Sequence, residues 1–221
     1  MSAATSASEV KSRSKAKAGY YLADGSRVPS VTTILNVIAK PALIKWANNL
    51  GLQGIDSTKY VDSLANIGSL AHAMAEAELG GRDVAATTAG HDPATIDLAE
   101  NCYLSFLSWK QGKTIEPILM EEPLVSEAWR YGGKFDFYGR IDGRLTVLDL
   151  KTGKGIWPEH FYQLAAYGQL IWENGYERPT DYTVLNIPRS DSESFDVKTR
   201  TDVSREWELF RAAIIIYRLQ G

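Results

Sequence analysis

Between Gly132 and Lys151 the chain reads GGKFDFYGRIDGRLTVLDLK, and three of its charged residues have the types and spacing to hold a cation beside a phosphate. Two runs rich in Phe, Tyr, Ile, Leu and Val flank Asp142-Gly143, the dipeptide that most strongly signals a two-residue hairpin loop. With those two residues as the loop, Ile141 faces Arg144, and counting back along both strands sets Asp136 opposite Asp149. Strand alternation then puts Lys151 on the same face as Asp149. Directly opposed residues have Cβ atoms roughly 5 Å apart, where like charges destabilise unless something neutralises them. A divalent cation does so. Carboxylate oxygens suit a hard ion such as Mg²⁺ or Mn²⁺, which keeps positions for water and for a substrate phosphate.

The plainer alternative is a solvated salt-bridge cluster of Asp136, Asp149 and Lys151 on an open sheet face. Against it, Asp149 and Lys151 interrupt the apolar run LTVLDLK, where a purely structural strand carries hydrophobic or weakly polar residues. Elsewhere, GSLAHAMAEAEL closes a long helical pattern and puts His72 and Glu76 four apart on one face. Taken alone, His72 is more often a surface or satisfied core histidine than a ligand; His91 and His160 have weaker claims. Gln163 and Tyr167 are one helical turn apart, so both can point into one groove. Helix surface plus core aromatic is their structural alternative. Lys154, Trp157 and Arg130 flank the stretch as further contacts for nucleic acid, with Trp157 as a core cap the competing reading.

The elements that must position these groups follow from local signals. Residues 1–18 are rich in Ser, Ala and Lys without apolar periodicity, and are expected to form a disordered basic tail. A small hairpin turning at Asp24-Gly25 precedes a helix over about Val31 to Ala39 with Ser30 as its N-cap, and Pro41 opens another helix to about Leu50. The pattern from Thr58 to Leu79 is a long helix. Asp92-Pro93 caps the next, which ends near Gly112. Ile115 to Val125 is expected as one strand with Glu121-Glu122 near its polar end, followed by the central hairpin. A helix over about Glu159 to Asn174, a strand from Tyr182 to Ile187, an edge strand over Ser194 to Thr199 and an amphipathic helix from Val203 to Leu219 complete the chain. No internal repeat is visible. The expected organisation is one domain over residues 19–221, an α/β arrangement with a mixed sheet between helices.

At 221 residues, with 44% hydrophobic and 23% charged residues, the chain is long enough to bury a sizeable core. A net charge of -3 with a sequence pI near 5.7 argues against non-specific coating of nucleic acid, while leaving a local basic groove open. The single cysteine, Cys102, excludes an intramolecular disulfide and any four-cysteine zinc or iron–sulfur site within one chain. Its apolar neighbours Leu98, Tyr103, Leu104 and Phe106 suggest a buried thiol. No apolar run approaches the ~20 residues of a membrane span and no signal-peptide core is present, so a cytoplasmic protein is expected, without a membrane partner.

Four motifs in order resemble the RecB-like branch of the PD-(D/E)XK nuclease superfamily: Gly-x-x-x-His (Gly68 to His72), Gly-x-x-Asp (Gly133 to Asp136), Asp-x-Lys (Asp149 and Lys151), and Gln-x-x-x-Tyr (Gln163 and Tyr167). The resemblance covers roughly His72 to Ile187 and extends to CRISPR-associated adaptation exonucleases, mitochondrial genome maintenance exonucleases and phage-encoded nucleases. The opening PSVTTIL, Pro29 to Leu35, has the look of the phage-type members. Phe135 stands where the superfamily's naming proline would be, and the iron–sulfur cysteines of some relatives are missing, which excludes their cluster domain.

The resemblance implies a restriction-endonuclease-like core (helix, three strands, helix, strand) with an N-terminal helical extension. It further implies that Asp136, Asp149 and His72 ligate Mg²⁺ or Mn²⁺, with the Leu150 carbonyl as a further ligand. Lys151 would hold and help deprotonate the attacking water, or stabilise developing charge. A histidine ligand leads to the expectation that Mn²⁺ supports activity at least as well as Mg²⁺. Gln163, Tyr167 and Lys154 would contact DNA. The expected function is a metal-dependent exonuclease on single strands or DNA ends, in phage replication, recombination or repair, with a recombination or replication protein as a possible partner. An endonuclease of resolvase or nicking type and a catalytically silent nucleic-acid-binding module are the alternatives, and two Asp on paired strands beside a Lys fit a metal site better than a glycosidase pair.

Overall fold

Short-range signals set most element boundaries in the computed structural model, which describes residues 19–220. The tail expected over residues 1–18 lies outside the described residues. Strands β1 (Tyr20–Tyr21) and β2 (Arg27–Val28) pair antiparallel and are followed by helices α1 (Val31–Leu35), α2 (Pro41–Leu52) and α3 (Ser57–Leu79). A 3₁₀ turn at Ala85–Thr88 leads to α4 (Pro93–Lys110). Then come β3 (Ile115–Leu119), β4 (Pro123–Ser126), β5 (Tyr131–Lys134), β6 (Phe137–Ile141), β7 (Arg144–Lys151), α5 (Pro158–Glu173), β8 (Asp181–Asn186), β9 (Asp196–Arg200) and α6 (Ser204–Gln220). Ser30, Asp56 and Asp92 cap α1, α3 and α4 by accepting from first-turn backbone N–H groups.

The main sheet has the order β3-β6-β7-β8-β9. Its pairs are antiparallel except β7 with β8, which are parallel and joined through α5. Helix α4, strands β3, β6 and β7, helix α5 and strand β8 thus realise the order of a restriction-endonuclease-like core, with β4–β5 inserted as a separate hairpin. One face of the sheet packs Leu145, Val147 and Val184 against α1, α5 and α6; the other packs Phe137, Leu148, Leu150 and Leu185 against α3 and α4. The alternation along β7 therefore feeds two hydrophobic clusters rather than one core and a wet face. Among the described residues no helix is long and apolar enough to cross a membrane.

Three local expectations are corrected. The strand expected over Ile115 to Val125 is broken at Glu121, which takes φ +53° and donates its N–H to the Phe135 carbonyl at 3.1 Å, so β4 leaves the main sheet and pairs with β5. The helix expected to reach Ala39 stops at Leu35, because Val37 and Ile38 turn back through tighter bonds to Ile34 and Leu35 and bury against the core. Gly132–Lys134 belongs to the β4–β5 hairpin, not to a strand continuous with β6.

The central turn forms as expected. Asp142 and Gly143 have φ of +50° and +80°, the pair of positive values that a type I′ loop requires, and Ile141 faces Arg144. The register runs without slip to Phe137 opposite Leu148. There it ends, one pair short of the acids.

Candidate metal centre and its cleft

Asp136 occupies the bend between β5 and β6, just beyond the ladder. With no partner strand residue at that level, its carboxylate takes over two jobs: Oδ2 accepts the Leu150 N–H at 2.6 Å, and Oδ1 accepts from His72 Nδ1 at 2.8 Å. His72 comes from α3, which packs on the opposite side of the sheet from α5, so Asp136 sits where the two layers meet. Burial works against the Asp136 carboxylate, but the charge and hydrogen bond of His72, with Lys151 and the Leu150 N–H, together hold its pKa below the usual range. Burial likewise opposes a charged His72, and the charge and hydrogen bond of Asp136 outweigh it, raising the imidazole.

A third donor completes the group. One ligand atom each from His72, Glu121 and Asp136 lies within 4.8 Å of the other two. Burial, with the nearby Asp136 charge, raises the Glu121 pKa against the lowering effect of Lys134, which forms an ion pair with it. One imidazole and two carboxylates crowded together fit a divalent cation, which would relieve the repulsion between the acids. Glu121 is the ligand-type residue that sequence reasoning missed. Its placement depends on the left-handed backbone and the bond to Phe135, and the acid pair Glu121-Glu122 ahead of Pro123 was the available signal.

Asp149 is 4% exposed and lines the same cleft as His72, Glu121 and Asp136, which has a volume of about 640 Å³. Its buried Oδ2 lies 2.5 Å from Lys151 Nζ, a close ion pair inside the cleft. Burial raises the Asp149 pKa, and Lys151 offsets this in part. The two acids expected to face each other therefore share the cleft but keep different companions: Asp136 with His72 and Leu150, Asp149 with Lys151.

From Lys151 a polar chain continues into α5. Lys151 Nζ donates to Gln163 Oε1 at 3.1 Å, and Gln163 Nε2 donates to the Tyr167 hydroxyl at 2.6 Å. The helical spacing thus puts both residues on the cleft. Tyr167 is 4% exposed, however, with its ring packed on Phe135 and on Gly133, where an added Cβ would lie 2.7 Å from the ring. Its ring is closed to a stacking base; its hydroxyl reaches Gln163.

The remaining expected residues separate. Leu150 contributes its N–H to Asp136 while its side chain is buried with α3 and α4. Lys154 is exposed and does not line the cleft. Trp157 is 53% exposed at the start of α5, so it does not cap the core. Arg130 is held at the β4–β5 turn by Ser26 and Asp24. Cys102 is fully buried, and burial pushes its thiol up to about 11. The PSVTTIL segment docks beside the site rather than in it: the Pro29 carbonyl accepts the Gly132 N–H at 2.9 Å, and α1 packs into the cluster with α5 and α6.

Among solved structures the chain is similar to a candidate exonuclease from Eubacterium rectale, at 13% identity and a TM-score of 0.44 over 72% of this chain and 65% of that one. It is also similar to SSO0001, at 18% identity and a TM-score of 0.31 over 68% of this chain and 74% of that one. The chain spans just under two thirds of the length of the first. No protein-family model matches the sequence, and no curated protein matches it. Neither structural likeness is close enough to carry chemistry from one protein to the other.

Proposed function

We propose that the chain is a metal-dependent deoxyribonuclease of the RecB-like PD-(D/E)XK type, an exonuclease acting on single strands or duplex ends in phage replication, recombination or repair. The observation that supports this most directly is the convergence of His72, Glu121 and Asp136 within 4.8 Å beside the Asp149–Lys151 pair. In this reading those three donors, with Asp149, hold Mg²⁺ or Mn²⁺. Such a cation supplies charge compensation on a phosphate and lowers the pKa of water.

The chain's own residues do the rest. Lys151, held by Asp149 and Gln163, presents an ammonium group to the phosphate and steadies the charge that develops as the phosphodiester bond breaks. Gln163 and the Tyr167 hydroxyl fix Lys151 from the α5 side. The half-enclosed cleft orients the strand. DNA is the proposed partner, along with a recombination or replication protein.

The test is time-resolved digestion of end-labelled linear DNA and covalently closed circular DNA with Mg²⁺, Mn²⁺ or EDTA. Linear DNA should shorten from its ends with either metal, circles should stay closed, and EDTA should stop the reaction. Cutting of the circles would turn the assignment to an endonuclease. Binding without turnover in either metal would turn it to a silent binding module.

A further inference from the structure

The basic residues that line the cleft are not equivalent. Lys151 is paired with Asp149 and Lys134 with Glu121, whereas Arg189 has no carboxylate partner among the described residues. Arg189 follows β8 and lies on the same cleft, half-buried. Its Nη2 donates to the Thr152 hydroxyl at 3.2 Å, while its Nε is buried with no hydrogen-bond partner. A guanidinium keeps its charge at neutral pH, so this side chain carries both an uncompensated charge and an unmet donor.

Its backbone and its guanidinium are both anchored. The Arg189 carbonyl accepts from Asn101 Nδ2 at 3.1 Å, which ties the backbone to α4, and Pro188 restricts the chain just before it. Thr152 is in turn set close to α3: a Cβ on Gly68 would lie 3.0 Å from its Oγ1. A cation fixed at both ends beside candidate metal ligands, and lacking an anion, is a site for one.

Resting on the nuclease reading above, we infer that Arg189 binds a phosphate of the nucleic-acid strand in the cleft, next to the phosphate that would face the cation site of His72, Glu121 and Asp136, with Thr152 as its positioning residue. The planar fork of a guanidinium suits two phosphate oxygens. The phosphate is either an internal phosphodiester or a terminal phosphomonoester, which share this chemistry.

The experiment is steady-state cleavage by the full chain with Mn²⁺, using single-stranded oligonucleotides that carry a 5′-phosphate, a 3′-phosphate or only hydroxyl ends. Arg189→Ala should raise KM on the order of tenfold while kcat changes by less than about threefold, as expected for loss of a charged hydrogen bond used in binding. The log–log salt dependence of kcat/KM should fall by about one for the lost phosphate contact, an effect that a merely structural residue would not produce. Arg189→Lys should restore part of the loss. Thr152→Val should raise KM in the same direction by less. An increase on all three substrates assigns an internal phosphodiester; an increase confined to one phosphorylated end assigns that terminus. Should Arg189→Ala lose its cooperative melting transition, Arg189→Gln is measured in its place and read the same way. Unchanged KM and salt slope in an enzyme whose wild type cuts DNA would overturn the inference and leave the nuclease reading standing. A wild type that cuts nothing would overturn both.

Discussion

His72 Nδ1 and Asp136 Oδ1 lie 2.8 Å apart across 64 residues of sequence, and this contact joins α3 to the point where the β6–β7 ladder ends. Because Asp136 has left the ladder, its two oxygens are free to bond sideways to Leu150 and upward to α3. The same contact brings an imidazole into reach of the Glu121 carboxylate, and so creates the three-donor group.

Metal binding should follow that group. Mn²⁺ titrated into the protein should raise its melting temperature, by the equivalent of about 2.7 kcal/mol at a hundredfold excess over Kd. His72→Ala, Asp136→Asn and Glu121→Gln should each weaken Mn²⁺ binding at least about tenfold. Calorimetric titration measures the affinities, and thermal melting with and without Mn²⁺ measures the shift. A Glu121→Gln protein that binds Mn²⁺ like the wild type removes Glu121 from the site.

Lys151→Met should abolish cleavage and leave a pH signature in stability. Burial already raises the Asp149 carboxyl above its ordinary value, and the substitution removes the attraction that offsets it. A carboxyl whose folded pKa exceeds its unfolded value gives stability below the unfolded value and loses it as pH rises through the folded one. The deficit of the variant relative to wild type should therefore be small near pH 4 and widen to about 3 kcal/mol towards pH 8. A deficit that is flat across this range, in chemical denaturation, contradicts the pairing.

His160 gives the opposite slope. Its Nδ1 accepts the Trp157 N–H at 3.2 Å at the start of α5, and burial, with Lys151 and Lys40 nearby, lowers its pKa to about 4. Since the unfolded histidine binds its proton at a higher pH than the folded one, stability is intact above about 6.5 and declines as pH falls towards 4. His160→Asn should flatten that decline when melting is followed across the window. A profile identical to wild type would falsify the assignment.

Gly133→Ala tests the packing beneath the polar chain. The added Cβ would lie 2.7 Å from the Tyr167 ring and 3.0 Å from Leu170, both buried, so neither can step aside cheaply. A loss of about 1–3 kcal/mol is expected, with reduced turnover as Tyr167 is pushed from Gln163. Stability equal to wild type would show that the ring has room to move.

What could be read in the sequence was what neighbouring residues decide among themselves. Asp142-Gly143 dictates a turn by its own backbone preferences, and the register follows by counting; Ser30 and Asp92 announce helix starts by their side chains. Gln163 and Tyr167 share a face because a helix has a fixed pitch. The parts that stayed hidden depend on contacts between distant segments. Glu121 joins the site only because its N–H finds Phe135, which bends the chain out of the expected strand. Asp136 looks like a ladder residue until the ladder is seen to stop before it, and Tyr167 looks available until Gly133 and Phe135 close over its ring. Arg189 carries no local signal at all, since its distinction is the lack of a partner.

The donors come from both sides of one sheet, and neither hydrophobic cluster by itself could bring them together. A half-assembled chain, with a single layer docked, would hold scattered acids and no centre. On the proposed nuclease reading, the return of helix and strand signals in a refolding experiment should precede the return of cleavage, because activity would wait for the last layer to close.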